Sequence, residues 1–271
     1  MSKELKLNKI YHEDCLVTMS NMQDDFLDLT ITSPPYDNLR TYKNDIDKTW
    51  NKNIWQDIIK ELYRVTAVGG VVVWVVGDAT IDGSETGTSF NQALFFKDAG
   101  FNLHDTMIYD KGYAPNTQNN RYNNCFEYMF VFSKDKPKTF NLLREKRTTK
   151  GNRKSSIRLK NGETKIEERN LNVDRVLRNI WHIDNGYNRS TKDKIAFQHP
   201  AIFPEILAEK HILSWSNEYD LVYDPFMGSG TTAKICLKHK RKYIGSEINN
   251  EYILISEKRI ANYLGSFGQL F

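Results

Sequence analysis

A chain of 271 residues, 39% hydrophobic and 27% charged with a net charge of +4, can bury a full core and excludes a fibrous, low-complexity or disordered protein. Its longest apolar run, Val71 to Val76, is too short to span a bilayer, and the opening Met1-Ser2-Lys3-Glu4-Leu5-Lys6 lacks the apolar stretch of a secretion signal. Cys15, Cys125 and Cys236 stand far apart with no paired spacing, which suggests neither a zinc site nor a disulfide framework and fits a reducing cytoplasm.

In chain order, Lys9 to Leu16 reads as a strand ending in Asp14, then a helix to about Met22. Phe26-Leu27-Asp28-Leu29-Thr30-Ile31 reads as a short buried strand, and Thr32-Ser33-Pro34-Pro35-Tyr36 leaves its end. Two prolines fix two φ angles and remove two backbone donors. A hydroxyl (Ser33), carbonyl oxygens and a phenol ring (Tyr36) remain, a set suited to a planar group that carries an amine. A proline-rich turn is the plain alternative. Asp37 to Lys43 predicts a loop over that end, where Arg40 and Lys43 are candidates to meet phosphates.

Ile54, Trp55, Ile58, Ile59 and Leu62 recur at helical spacing and predict an amphipathic helix over Asn53–Arg64, broken by Gly69-Gly70 before the Val71–Val76 strand. Ser84–Ser89 is small and polar and reads as a mobile segment. Phe90–Ala99 predicts a helix closed by Gly100. Phe101–Tyr109 and Glu127–Phe132 predict strands at an antiparallel edge. Lys111–Asn124 between them is either a nucleic-acid loop or a long hairpin connection.

Lys134 to Lys194 holds 18 Lys and Arg against 8 Asp and Glu, so the rest of the chain is acidic. Such asymmetry fits a local anionic partner, or a solvated insertion. Within it, Arg144, Lys146, Arg147 and Arg153 belong to the densest basic cluster, and Ile180-Trp181-His182-Ile183 is an apolar island that pins the segment to the body.

His199-Pro200 introduces Phe203-Pro204-Glu205 and a helix to about Trp215. Leu221–Thr232 reads as strand, glycine turn and helix start, containing Asp224, Pro225, Phe226, Gly228, Ser229, Gly230, Thr231 and Thr232. The two glycines are expected to let the backbone approach a ligand closely. A further strand, Lys242–Glu247, ends in an acid 19 positions after Gly228, close to the spacing of about 20 between a nucleotide-binding glycine loop and the acid that holds ribose hydroxyls. Only one more helix follows, Asn250–Ala261. Two strands cannot complete an α/β sheet, so the strand ending in Asp14 must continue it. Asp14, Ser33, Asp224 and Glu247 then share one carboxyl edge.

The Ser-Pro-Pro-Tyr motif and the Asp224–Thr232 loop resemble the DNA amino-methyltransferases that use S-adenosylmethionine, in the permuted class where the catalytic motif precedes the cofactor motif. The resemblance covers roughly Asn8–Ser133 and Gln198–Ile260. It implies an α/β, Rossmann-like methyltransferase sheet, circularly permuted, with a catalytic half at 1–133, a basic target-recognition insertion at 134–197 and a cofactor half at 198–271. It places Ser33, Pro34, Pro35 and Tyr36 on the target base. It places Asp14, Cys15, His199, Pro200 and the glycine loop on the cofactor, Asp14 near the amine of its adenine; the same residue reads equally well as a helix N-cap.

The implied reaction needs no metal and no covalent enzyme intermediate. Ser33 Oγ and the Pro34 carbonyl accept the two N–H bonds of an exocyclic amine, and Tyr36 stacks on the ring. The partner is duplex DNA with the target base flipped out; a homodimer is a candidate assembly, and no membrane is involved. Serine in the first motif position favours N4 of cytosine, with N6 of adenine as the alternative. RNA or protein amines, and a non-catalytic DNA-binding partner, are remoter readings.

Overall fold

The computed structural model describes residues 4–35, 50–112, 121–147, 152–170 and 173–268. It divides into two compact units, one of residues 1–141 with 179–271 and one of Leu142–Arg178. Through the first unit the chain runs β1 (Lys9–His12), α1 (Cys15–Ser20), β2 (Leu27–Thr32), α2 (Lys52–Val65), β3 (Thr66–Val76), a small hairpin of β4 (Thr80–Ile81) and β5 (Ser84–Glu85), α3 (Thr88–Asp98), β6 (Asn102–Asp110) and β7 (Phe126–Ser133). The second unit holds β8 (Arg144–Lys146), β9 (Asn152–Arg158), β10 (Thr164–Asn170) and β11 (Asp174–Val176). The first resumes with β12 (Ile180–His182), a 3₁₀ turn (Lys194–Gln198), α4 (Glu205–Trp215), β13 (Leu221–Asp224), α5 (Thr231–Lys238), β14 (Lys242–Glu247) and α6 (Asn250–Gly268).

Among the described residues, one sheet of the first unit has the order β1-β14-β13-β2-β3-β7-β6-β12. Its strands are parallel except for β7, which runs against both β3 and β6. Period-two alternation along β3 explains the layers. Val71, Val73 and Val75 pack with Leu207, Ile212 and Ala233 of α4 and α5 on one face. Val72, Trp74 and Val76 pack with Met19, Ile59 and Phe96 of α1, α2 and α3 on the other. Each such side chain contributes roughly 1.5–3 kcal/mol on burial. No helix among the described residues is long and apolar enough to cross a membrane.

The permutation inferred from topology is present: β1 lies beside β14 in parallel, with His12 opposite Glu247. Four local expectations need correction. Gly69-Gly70 does not end α2. The helix stops at Val65 because the Thr66 hydroxyl turns back to the Leu62 carbonyl at 2.6 Å, and the glycines form an irregularity inside β3, where a side chain at 70 would lie 2.9 Å from the Leu27 carbonyl. The polar run 84–89 is ordered by Asp78, whose carboxylate accepts from the Ser89 amide at 2.8 Å and from the hydroxyls of Ser89 and Thr86. β6 and β7 do pair antiparallel, yet neither is the edge, because the apolar island becomes β12 and adds in parallel to β6. Residues 134–141 and 179–197, assigned by charge to the insertion, belong to the first unit: Lys134 and Lys138 exchange backbone bonds with Gly69 and Gly70, and Ile183 bonds Asp110.

The second unit is two antiparallel ribbons, β8 with β11 and β9 with β10. Its Leu159, Ile166 and Val173 are exposed, in keeping with a segment that builds little core of its own.

Candidate functional site

Sheet order marks one edge as the place for a ligand. The chain leaves β2 toward β3 on one side, while β13 occupies the other, so the carboxyl ends of β2 and β13 flank the switch point where open α/β sheets bind ligands. A cavity of about 400 Å³ opens there, within the range of about 300–1,000 Å³ that small-molecule sites occupy.

One buried carboxylate ties the two strand ends together. Asp224 Oδ1 accepts from the Thr32 hydroxyl at 2.7 Å and from the Phe226 amide at 3.1 Å, and its Oδ2 accepts from the Thr232 hydroxyl at 2.6 Å. Burial raises its pKa, and bonds from Thr232, Thr32 and the Phe226 amide oppose the rise. Asp224 therefore fixes the root of the Ser33 loop to the root of the glycine loop. Ser33 and Pro35 line the cavity, and Pro34 is buried behind them.

Glu247 ends β14 and lines the same cavity. Its Oε2 accepts from the Gly228 amide and its Oε1 from the Asn249 amide, each at 2.8 Å. Burial raises its pKa, which those two amides counter and the charge of Asp224 reinforces. Each oxygen keeps a second lone pair for a donor such as a sugar hydroxyl. Asp14 caps α1, accepting from the Leu16 amide at 2.7 Å, and it also lines the cavity. Cys15 lines it as well, with its thiol pushed up by burial and by the charge of Asp14, so it stays protonated and is no nucleophile.

The glycine loop divides by role. Pro225, Phe226, Gly228, Ser229 and Thr231 line the cavity; Gly230 and Thr232 do not. A side chain at Gly230 would meet Ser256 of α6 at 2.7 Å, so this glycine serves helix packing rather than close approach to a ligand. Thr232 is spent on Asp224. At Gly228, φ is +51° and a side chain would lie 3.0 Å from His199 Nε2. His199 lines the cavity and is held there, its Nδ1 accepting from the Ala201 amide at 3.1 Å and its ring edge-on to Tyr252 at 4.1 Å. Pro200 is exposed and off the cavity.

Several lining residues escape a reading by motif. Ile54 and Ile58 come from α2 and Trp50 from the residues just before it, and the Phe226 ring packs edge-on against Trp50 at 5.6 Å. Ile54 and Ile58 carry a visible signal, helical spacing, but spacing does not separate core from cavity wall. Phe203, Tyr252, Tyr109, Glu127 and Asn185 line it too.

Tyr36, Arg40 and Lys43 lie outside the described residues. In the second unit, Arg144 and Lys146 are exposed on β8 and Arg147 is half-buried just beyond it; Arg153 falls in β9, its side chain outside the description. This unit has 12 Lys and Arg against 5 Asp and Glu. Glu145, Glu168 and Glu167 are already matched by Arg175, Lys154 and Lys165 at 2.6, 3.0 and 3.5 Å, so its positive charge remains in excess.

Residues 27–258 match the DNA methylase family designated N6_N4_Mtase. The chain is 56% identical over 250 residues to the orphan methyltransferase M.BamHII of Bacillus amyloliquefaciens, covering 90% of this chain and 92% of that one. Among solved structures it resembles the cytosine-N4-specific PvuII DNA methyltransferase, with a TM-score of 0.65 and 20% identity over 94% of this chain and 90% of that one. It also resembles the Thermus thermophilus protein TTHA0409 complexed with S-adenosyl-L-methionine, with a TM-score of 0.63 and 22% identity over 94% and 93%.

Proposed function

The chain belongs to the N6_N4_Mtase family of DNA methylases, and we propose that it methylates N4 of cytosine in duplex DNA at a specific site. It is a DNA methyltransferase of the N4-cytosine/N6-adenine class, and its cofactor is S-adenosylmethionine, which supplies a methyl group on a sulfonium centre. The cavity suits that cofactor: apolar Trp50, Ile54 and Phe226 flank a space that also carries the carboxylates of Asp14 and Glu247. Glu247 would take the ribose hydroxyls, Asp14 the adenine amine, and the Ser229–Thr231 wall with His199 and Phe203 the amino-acid end.

The observation that carries the reading is the position of Ser33. Through Thr32 and Asp224 it is held on the strand next to the glycine loop and lines the same cavity. An exocyclic amine on a base is a poor nucleophile because its lone pair is delocalised into the ring. Ser33 Oγ and the Pro34 carbonyl accept its two N–H bonds, which frees the lone pair and aims it along one direction. Tyr36 stacks on the extruded ring and offsets part of the few kcal/mol that flipping costs.

Serine at the first motif position and the cytosine-N4 specificity of the PvuII enzyme support cytosine over adenine. Nucleoside mass spectrometry of DNA treated with the enzyme is expected to show N4-methylcytosine. N6-methyladenine in its place overturns the base assignment and leaves the loop mechanism standing.

The basic ribbons of the second unit are proposed to carry phosphate contacts of target recognition. Replacing Arg144, Lys146 and Arg147 together by Ala should reduce the slope of log affinity against log salt by about 2–3, since each lost contact removes roughly 0.9. An unchanged slope means that these residues do not meet the backbone.

A further inference from the structure

We infer that Arg259 is a positioning residue for the cofactor, tying together the two walls at the amino-acid end of the cavity and setting the slot between them. The inference rests on the S-adenosylmethionine reading above and adds a residue that reaches no ligand itself. Arg259 sits on α6 with its side chain wholly buried. Its Nη1 donates to the Ser229 carbonyl at 2.8 Å, the Ser229 hydroxyl at 3.1 Å and the Thr231 hydroxyl at 3.0 Å. Its Nη2 donates to Glu205 Oε1 at 2.6 Å and its Nε to Asp193 Oδ2 at 2.8 Å.

These partners are not scattered. Ser229 and Thr231 form one wall of the cavity; Phe203 and Pro204, immediately before Glu205, form the other. The Thr231 hydroxyl closes the circuit by donating to the Phe203 carbonyl at 3.1 Å. Lys234 reaches the same Asp193 and Glu205 oxygens, at 2.7 and 2.9 Å, so two cations and two carboxylates balance. That balance is what makes a buried guanidinium tolerable. Only a planar fork with donors on three nitrogens serves both walls at once; a lysine ammonium presents its donors from one point. One turn earlier on α6, Ser256 meets Gly230, so a single helix face seats the whole loop.

The test uses Arg259→Lys, and Glu205→Gln, which removes the charge that seats Nη2 at nearly constant shape and at a residue outside the cavity lining. Calorimetry with S-adenosylmethionine is compared with 5′-methylthioadenosine, which lacks the amino-acid end, and thermal unfolding reports the fold. Both variants should bind S-adenosylmethionine about tenfold or more weakly, with 5′-methylthioadenosine changed by less than about twofold. The KM for S-adenosylmethionine should rise while kcat and the KM for DNA hold. Unchanged S-adenosylmethionine affinity overturns the inference. So does equal weakening of both ligands, which marks general loosening. If Arg259→Lys does not fold, Glu205→Gln alone decides. Wild-type protein that fails to bind S-adenosylmethionine overturns instead the reading on which the inference rests.

Discussion

Gly228→Val should weaken S-adenosylmethionine binding by at least about a hundredfold, on the order of 3 kcal/mol. Three effects converge. Valine at φ +51° carries a backbone cost of roughly 1–2 kcal/mol or more. Its Cβ would press on His199 Nε2 at 3.0 Å, and that ring has little room to give, being fixed by the Ala201 amide and by Tyr252. Any twist at 228 also withdraws the amide that orients Glu247, and a hydrogen bond to a charged group is worth about 1.5–3 kcal/mol. Cofactor affinity unchanged by calorimetry in a folded variant would refute the assignment of this loop.

Ser33→Ala should lower turnover on the order of a hundredfold without abolishing it, a loss comparable to removing one preorganised hydrogen-bond partner from a reacting group. The Pro34 carbonyl is the second acceptor, and no side-chain change removes it. Cofactor affinity should stay nearly intact, because the glycine loop and Glu247 do not depend on the Ser33 hydroxyl. Ser33→Asp keeps an acceptor at similar reach and should retain part of the activity. Tyr36→Ala should cost roughly 1–3 kcal/mol in capture of the base, the worth of one base–aromatic stack. Single-turnover rates equal to wild type in Ser33→Ala overturn the mechanism itself.

What the sequence exposes here is what local chemistry encodes. Apolar runs ending in Ser33, Asp224 and Glu247 announce strands that deliver polar groups to one edge, and the scarcity of strands after Glu247 forces β1 to its side. Gly69-Gly70 misleads because glycine punctuation also marks bulges, and only the neighbouring β2 backbone shows which. Gly230 misleads in the same way: its requirement comes from Ser256, on a helix that begins twenty residues after Gly230. Thr32 and Thr232 stand inside motifs that say nothing of their bonds to Asp224, and Arg259 leaves no motif at all. Their roles arise from bonds across large separations, such as the 192 residues between Thr32 and Asp224, which no window along the chain contains.

That bond also sets a clock on synthesis. β2 has its β3 neighbour almost at once, but its other flank stays open until β13 is made. At about 5–20 residues per second, 192 residues correspond to roughly 10–40 s of translation. Through that interval a central strand presents an unsatisfied edge, and the cavity lacks its glycine-loop wall and Glu247. A nascent chain is therefore catalytically silent for most of its synthesis, and it is then that a stray strand or a holdase chaperone finds its best opportunity to engage β2.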